Sequence, residues 1–171
     1  MRAALMASWL MLFGPVALGQ QASYTSAEGQ YRVRFPRPPK ISEQTVKTAL
    51  GDLHVVIATY ATSEGNILMV SYTDYPAEAV QPAKVAALFD EIRDSVKTAE
   101  GKMAPGEKEL TIGPEKYPGR EFVVEKGRQR IKCQLILRGQ RLYQITAMGS
   151  ADFIKGRDAT AFFKTFELTS N

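Results

Sequence analysis

Nucleophilic and metal chemistry call for histidines and cysteines that this chain largely lacks. Its 171 residues hold one histidine, His54, and one cysteine, Cys133. One imidazole cannot build a multi-histidine metal site, and no C-x-x-C pair adds thiolates. His54 opens the apolar run Leu53-His54-Val55-Val56-Ile57 and reads as a structural or surface residue. Cys133, inside an apolar strand-like run, reads as a small buried hydrophobe. It closes no internal disulfide, so the domain must hold itself by its core. A serine triad would have to recruit His54, and no serine sits in a G-x-S-x-G elbow. The glycine-rich phosphate loops of nucleotide-binding folds are missing as well. No catalytic, cofactor-binding or metal-binding residue is assigned, and the chain reads as a non-enzyme without a cofactor.

Two acidic arrangements remain. Asp90, Glu91 and Asp94 fall on the expected wet face of a helix. Asp74, between Tyr72 and Tyr75, is the acid with an aromatic setting. It reads first as a turn-forming residue before Pro76, and second as one acid of a cleft. A hydrolase there would need a further carboxylate with a perturbed pKa. Tyr60, Tyr72, Tyr75, Tyr117 and Tyr143 read as packing, with a binding pocket as their other use.

Positive charge is concentrated. The formal net charge is +4. Between Lys116 and Arg141 stand eight basic residues, opposed by Glu121 and Glu125 alone. The candidate partner-binding set is Arg120, Lys126, Arg128, Arg130, Lys132, Arg138 and Arg141. Such a segment serves either as an anion-attracting face or as a solvated strand face. Nucleic acid is not the expected partner, because the basic residues are not interleaved with aromatics in a recognisable module.

The N-terminus carries an address. Arg2 precedes the apolar run Ala3–Val16, and Ala17-Leu18-Gly19 follows with small residues where a signal peptidase reads. The run is shorter than the roughly 20 apolar residues of a bilayer span. Residues 1–19 are therefore expected to be a cleavable signal, cut after Gly19 or alternatively after Ala22. No cysteine follows for a lipid anchor, and no twin arginine is present. The expected product is periplasmic or extracellular and has no transmembrane segment. Residues 20–30 form a lead-in, and 31–169 form one domain of ordinary globular composition.

Tyr31-Arg32-Val33-Arg34-Phe35 alternates like a half-buried strand and stops at Pro36, Pro38 and Pro39. Strands are predicted over 42–49, 53–62 and 67–73, with turns at Leu50-Gly51-Asp52 and around Gly65. Val85, Leu88, Phe89, Ile92 and Val96 share one face of a helix that starts near Pro82 and ends before Gly101. Strands resume over 108–112 and 120–126, with Pro118-Gly119 marking a turn. The clearest hairpin joins Gln129–Leu137 to Arg141–Met148. It is apolar on both faces and is expected to lie centrally, covered on two sides. A last helix is predicted over 158–166, capped by Asp158, with Ala159, Phe162, Phe163 and Phe166 on its apolar face. This order of elements points to an α+β layered domain.

Gly29-Gln30-Tyr31-Arg32-Val33-Arg34-Phe35-Pro36 resembles the G-x-F/Y-x-V/I-x-F/Y-P opening of the PsbP-like family. Tyr117–Phe122 is similar to that family's return strand. Gly139-Gln140-Arg141-Leu142-Tyr143-Gln144-Ile145 resembles its g-x-R-x-Y-x-L/I/V strand. Phe162–Leu168 resembles its closing helix. The likeness spans the mature chain and implies an α/β/α sandwich around a mainly antiparallel sheet, with two main amphipathic helices. It implies no function, since folds host unrelated tasks, and the family's metal-binding and photosystem-docking segments are not recognisable here. The expected function is a non-catalytic binding domain that uses the basic face 116–141 for an anionic partner, an envelope protein or an anionic surface component. The alternative is a hydrolase or small-ligand carrier with an aromatic and acidic cleft near Asp74.

Overall fold

Strand-forming sequence dominates the structure, a computed structural model that describes residues 22–98 and 100–170. The predicted signal segment, residues 1–19, lies outside these described residues. The chain runs β1 (Ala22–Ser26), β2 (Tyr31–Phe35), β3 (Lys40–Thr48), β4 (Gly51–Ala61) and β5 (Ile67–Asp74). A 3-10 turn, Pro82–Lys84, leads into α1 (Val85–Lys97). There follow β6 (Lys102–Met103), β7 (Lys108–Ile112), β8 (Tyr117–Lys126), β9 (Gln129–Arg138) and β10 (Arg141–Ser150). The chain closes with α2 (Ala151–Lys155), α3 (Arg157–Thr165) and β11 (Glu167–Leu168).

An eight-stranded antiparallel sheet runs β3-β4-β5-β10-β9-β8-β6, with β7 also on β8. A three-stranded sheet, β1-β2-β11, lies apart from it. The expected α/β/α sandwich with two main helices is therefore incorrect: strands hold 52% of the described residues against 20% in helix. The reason lies at the N-terminus. Residues 22–26, taken as lead-in, zip onto β2 from Ala22↔Phe35 to Ser26↔Tyr31, and β11 closes the other side of β2. The alternating face of β2 thus builds a second sheet where a helical layer was expected. One face of the large sheet meets β2 and α3 through Tyr31, Val33, Phe35 and Phe162, all buried with Val70, Tyr143 and Ile145. Phe35 and Phe162 pack with ring centroids 5.1 Å apart. The other face meets α1 through Phe89, against Phe122, Val124, Cys133, Leu135 and Leu137.

The β9–β10 hairpin is central and two-sided, as its sequence predicts. Other boundaries moved. Pro118 and Gly119 lie within β8, opposite Thr111 and Leu110, because β7 pairs there. A Cβ at Gly119 would sit 2.6 Å from the Leu135 carbonyl, so glycine permits the close approach of β9. Helix α1 ends at Lys97, and its C-cap Thr98 takes a positive φ (54°) three residues ahead of Gly101. Gly156, and not Asp158, is the N-cap of α3; Asp158 falls in its first turn. Helix α2 was absent from the sequence reading and is capped by Ser150 Oγ, which accepts from the Phe153 N–H at 3.1 Å.

Candidate functional site

Alternation along β8 and β9 sorts the basic segment onto two faces. Arg120 and Lys126 share the face of Phe122 and Val124, toward α1. Arg130, Lys132 and Arg138 share the face of Ile136, toward α2, α3 and the small sheet. The seven do not share one face, because the β8–β9 register sets Phe122 opposite Cys133, so even-numbered residues of the two strands point to opposite sides; Arg141, opposite Arg138, joins the second group.

Several of these cations are already neutralised. Arg120 is 8% exposed. Its Nη1 donates to Asp90 Oδ1 at 2.5 Å, it lies 3.5 Å from Glu107, and it sits over the Phe89 ring. Hydrogen bonds from Arg120, and behind them Arg93, hold the Asp90 carboxyl below its ordinary range. Asp90 is thus an anchor between α1 and β8 and not part of a free wet face. Lys126 pairs with Glu100 at 3.2 Å. Arg128 is exposed in the β8–β9 turn, with no carboxylate in ion-pair range among the described residues.

Arg130 and Lys132 border a cleft of about 550 Å3 between β8–β9 and α2–α3. Cross-strand pairing sets its floor: Glu125 opposes Arg130, and Val123 opposes Lys132. Ala104, Ala151 and Ile154 add apolar wall, and Lys155 and Thr160 add polar rim. Lys132 is fixed in place, with its Nζ 3.1 Å from Glu121 Oε2 and 4.8 Å from the centre of the Phe163 ring. Arg130 pairs with Glu125 at 3.0 Å. Burial alone would raise the Glu121 carboxyl, but hydrogen bonds from Gln134, Lys108 and Lys132 bring it below its ordinary value. Lys155 has no carboxylate in ion-pair range among the described residues. The sequence reading missed Lys155 because it counted charge along the chain. Ser150, a good N-cap three residues before Phe153, was the available signal that a helix would carry Lys155 back over β9.

Arg138 and Arg141 line a different pocket, about 330 Å3, with Gln30, Asp74, Gln140 and Tyr143. Arg141 grips Asp74 with two hydrogen bonds, 2.7 and 2.6 Å, and donates to the Glu28 carbonyl at 2.5 Å. Arg138 donates to the Thr169 carbonyl at 2.8 Å and faces the Tyr117 ring. The cleft expected near Asp74 therefore exists, but Asp74 is its single lining carboxylate and is held as an ion pair. Burial first, and the nearby Glu28 carboxylate second, push the Tyr72 hydroxyl beneath it up to about 12, with Arg141 opposing.

Cys133 is fully buried and its thiol is pushed up to about 12 by burial, against a weak contact from Thr146. His54 sits on β4 beside Glu43, at 3.3 Å, in an exposed position. Tyr72 and Tyr143 are core residues. Among the described residues, no cluster of three or more metal-ligating side chains occurs, and no buried side-chain nitrogen or oxygen lacks a partner. The polar groups open to a ligand are those of the surface clefts.

No protein-family model and no curated protein matches the chain. Among solved structures, its fold is similar to the solution structure of cyanobacterial PsbP (CyanoP) from Synechocystis, with a TM-score of 0.55 at 14% identity. The match covers 91% of this chain and 96% of that one. At this identity the likeness shows a PsbP-like fold and nothing finer. A Pseudomonas aeruginosa protein of unknown function aligns with a TM-score of 0.39 at 11% identity, covering 80% of this chain and 88% of that one, and has no bearing on the fold.

Proposed function

We propose that this chain is an exported, non-catalytic binding domain of the PsbP-like family that holds an anionic ligand in the cleft between β8–β9 and α2–α3. The supporting observation is the charge balance at that cleft. Its lining sets Arg130, Lys132 and Lys155 against Glu125, which leaves two positive charges in excess among the lining residues. Lys132 is held by Glu121 and Phe163 before any ligand arrives, so little side-chain entropy is lost on binding. The apolar wall suits a ligand that joins an anionic head to a short hydrocarbon body, and the cleft volume is in the range of small-molecule sites. Export rests on the pattern of Arg2, the apolar run and Gly19. An envelope or extracellular ligand follows from that location.

Hexanoate and hexylammonium test the charge argument, since they share a hydrocarbon body and differ in sign. Titrated into labelled protein at low ionic strength, hexanoate should move the amide resonances of Val123, Arg130, Lys132 and Ala151–Lys155. Salt should weaken the effect, because screening shortens to about 8 Å at physiological ionic strength. The double substitution Lys132→Gln/Lys155→Gln should abolish it. Equal shifts from hexylammonium, or hexanoate binding untouched by the double substitution, would overturn the reading.

A further inference from the structure

The large sheet ends on its far side, away from the proposed cleft, in a strand that no other described element covers. Strand β3 pairs with β4 from Lys40↔Thr59 to Thr48↔Gly51 and with no other described strand. All nine of its residues are exposed. Pairing of β4 with β5 begins only at Val55↔Thr73, so the distal half of the β3–β4 hairpin projects past its neighbour. The three exposed large apolar side chains among the described residues, Ile41, Val46 and Leu50, all belong to this hairpin. Proteins usually blunt such an edge with proline, a bulge, a short strand or charged side chains, because its free N–H and C=O groups invite another strand. Here Pro36, Pro38 and Pro39 stop short of β3, and the edge stays long and regular.

Its charges indicate which strand fits. Within Lys40–Thr48 the ionic side chains are Lys40, Glu43 and Lys47. A two-fold axis through Thr45 sets two copies of β3 antiparallel, with Glu43 of each opposite Lys47 of the other. Shifting the axis to Gln44 places Glu43 against threonine, and shifting it to Glu43 places like charges together. The Thr45 register also makes Val46 of one copy a diagonal neighbour of Val46 of the other. Opposite charges and apolar pairs directly across a sheet are favourable, and like charges are not. A two-fold interface must complement itself, and this strand does so in that register.

We propose that a second copy of this chain pairs edge to edge through β3, joining two eight-stranded sheets into one and leaving both clefts open. The contact is narrow, so the dimer is weak and forms between about 10 µM and 1 mM. Sedimentation velocity across that range tests it. The unmodified protein should shift from monomer to dimer as concentration rises. Glu43→Lys should weaken the dimer at least about tenfold, and so should Lys47→Glu, because each turns two attractive pairs into two repulsive ones. An equimolar mixture of the two variants should dimerise again, since mixing sets opposite charges across both positions. Both positions are exposed, so melting temperatures should stay within about 2 °C of the parent. A protein that stays monomeric at about 1 mM overturns the proposal. So does a dimer indifferent to both substitutions, or a mixture that stays monomeric when each variant does.

Discussion

Tyr143→Phe removes a hydroxyl whose hydrogen bond ties the two sheets together. Tyr143 is fully buried on β10, and its hydroxyl donates to the Gly29 carbonyl at 2.8 Å, across 114 residues of sequence. Gly29 sits in the turn before β2, where a Cβ would lie 2.7 Å from Ser26 Oγ and from the Tyr31 and Tyr72 rings. The next residue, Gln30, takes φ 53°, and its carbonyl accepts from the Thr169 N–H at 2.9 Å. A left-handed non-glycine residue costs of order 1–3 kcal/mol, so neighbouring bonds must hold the turn in place. Phenylalanine keeps the ring contacts with Tyr31 and Phe166, whose centroids lie 6.1 and 5.9 Å away. The change therefore removes a donor and leaves a buried carbonyl without it, a loss of about 1–3 kcal/mol. Taking about 2 kcal/mol, a domain of this size should melt roughly 4–8 °C lower. Thermal unfolding by circular dichroism measures this. Urea denaturation with an unchanged m-value checks that the native and unfolded states are otherwise the same. A loss below about 0.5 kcal/mol would refute the reasoning, since it would mean that the Gly29 carbonyl finds another donor when Tyr143 withdraws.

Cys133 should react with Ellman's reagent at pH 8 at least about 100-fold more slowly in native protein than in guanidinium-unfolded protein, because the buried thiol is protonated there and shielded; equal rates would contradict its burial. Glu121→Gln should lower stability at pH 7, with the gap to the parent narrowing as the pH falls. The Glu121 carboxyl is held below its ordinary value of 4.5, so its contribution is present above pH 4.5 and lost as the pH falls through the folded value. Melting temperatures measured between pH 3 and 7 check this, and a pH-independent gap would show that the charge of Glu121 is not what stabilises the network.

Local pattern and long-range assembly divided the information unequally. The strands over residues 31–35, 129–137 and 141–148 were legible because period-two alternation is written in adjacent residues, and α1 because its apolar face repeats every three to four. Burial of Cys133 on the face of Leu135 and Leu137 followed from the same alternation. The second sheet was not legible: β1 has no strong pattern of its own and becomes a strand because β2 offers it an edge. The two-residue strands β6 and β11 exist for the same reason. Charge behaved alike. Eight basic residues within 26 positions look like one patch in sequence, yet pleating sends Arg120 inward to Asp90, and Arg141 is drawn to Asp74 on β5. Lys155, 23 positions beyond Lys132, comes to the same cleft because α2 folds back over β9. A chain's own periodicities determine which face of an element is apolar. Which elements meet, and which charges end up sharing a cleft, depends on partners distant in sequence, and only the packed structure supplies them.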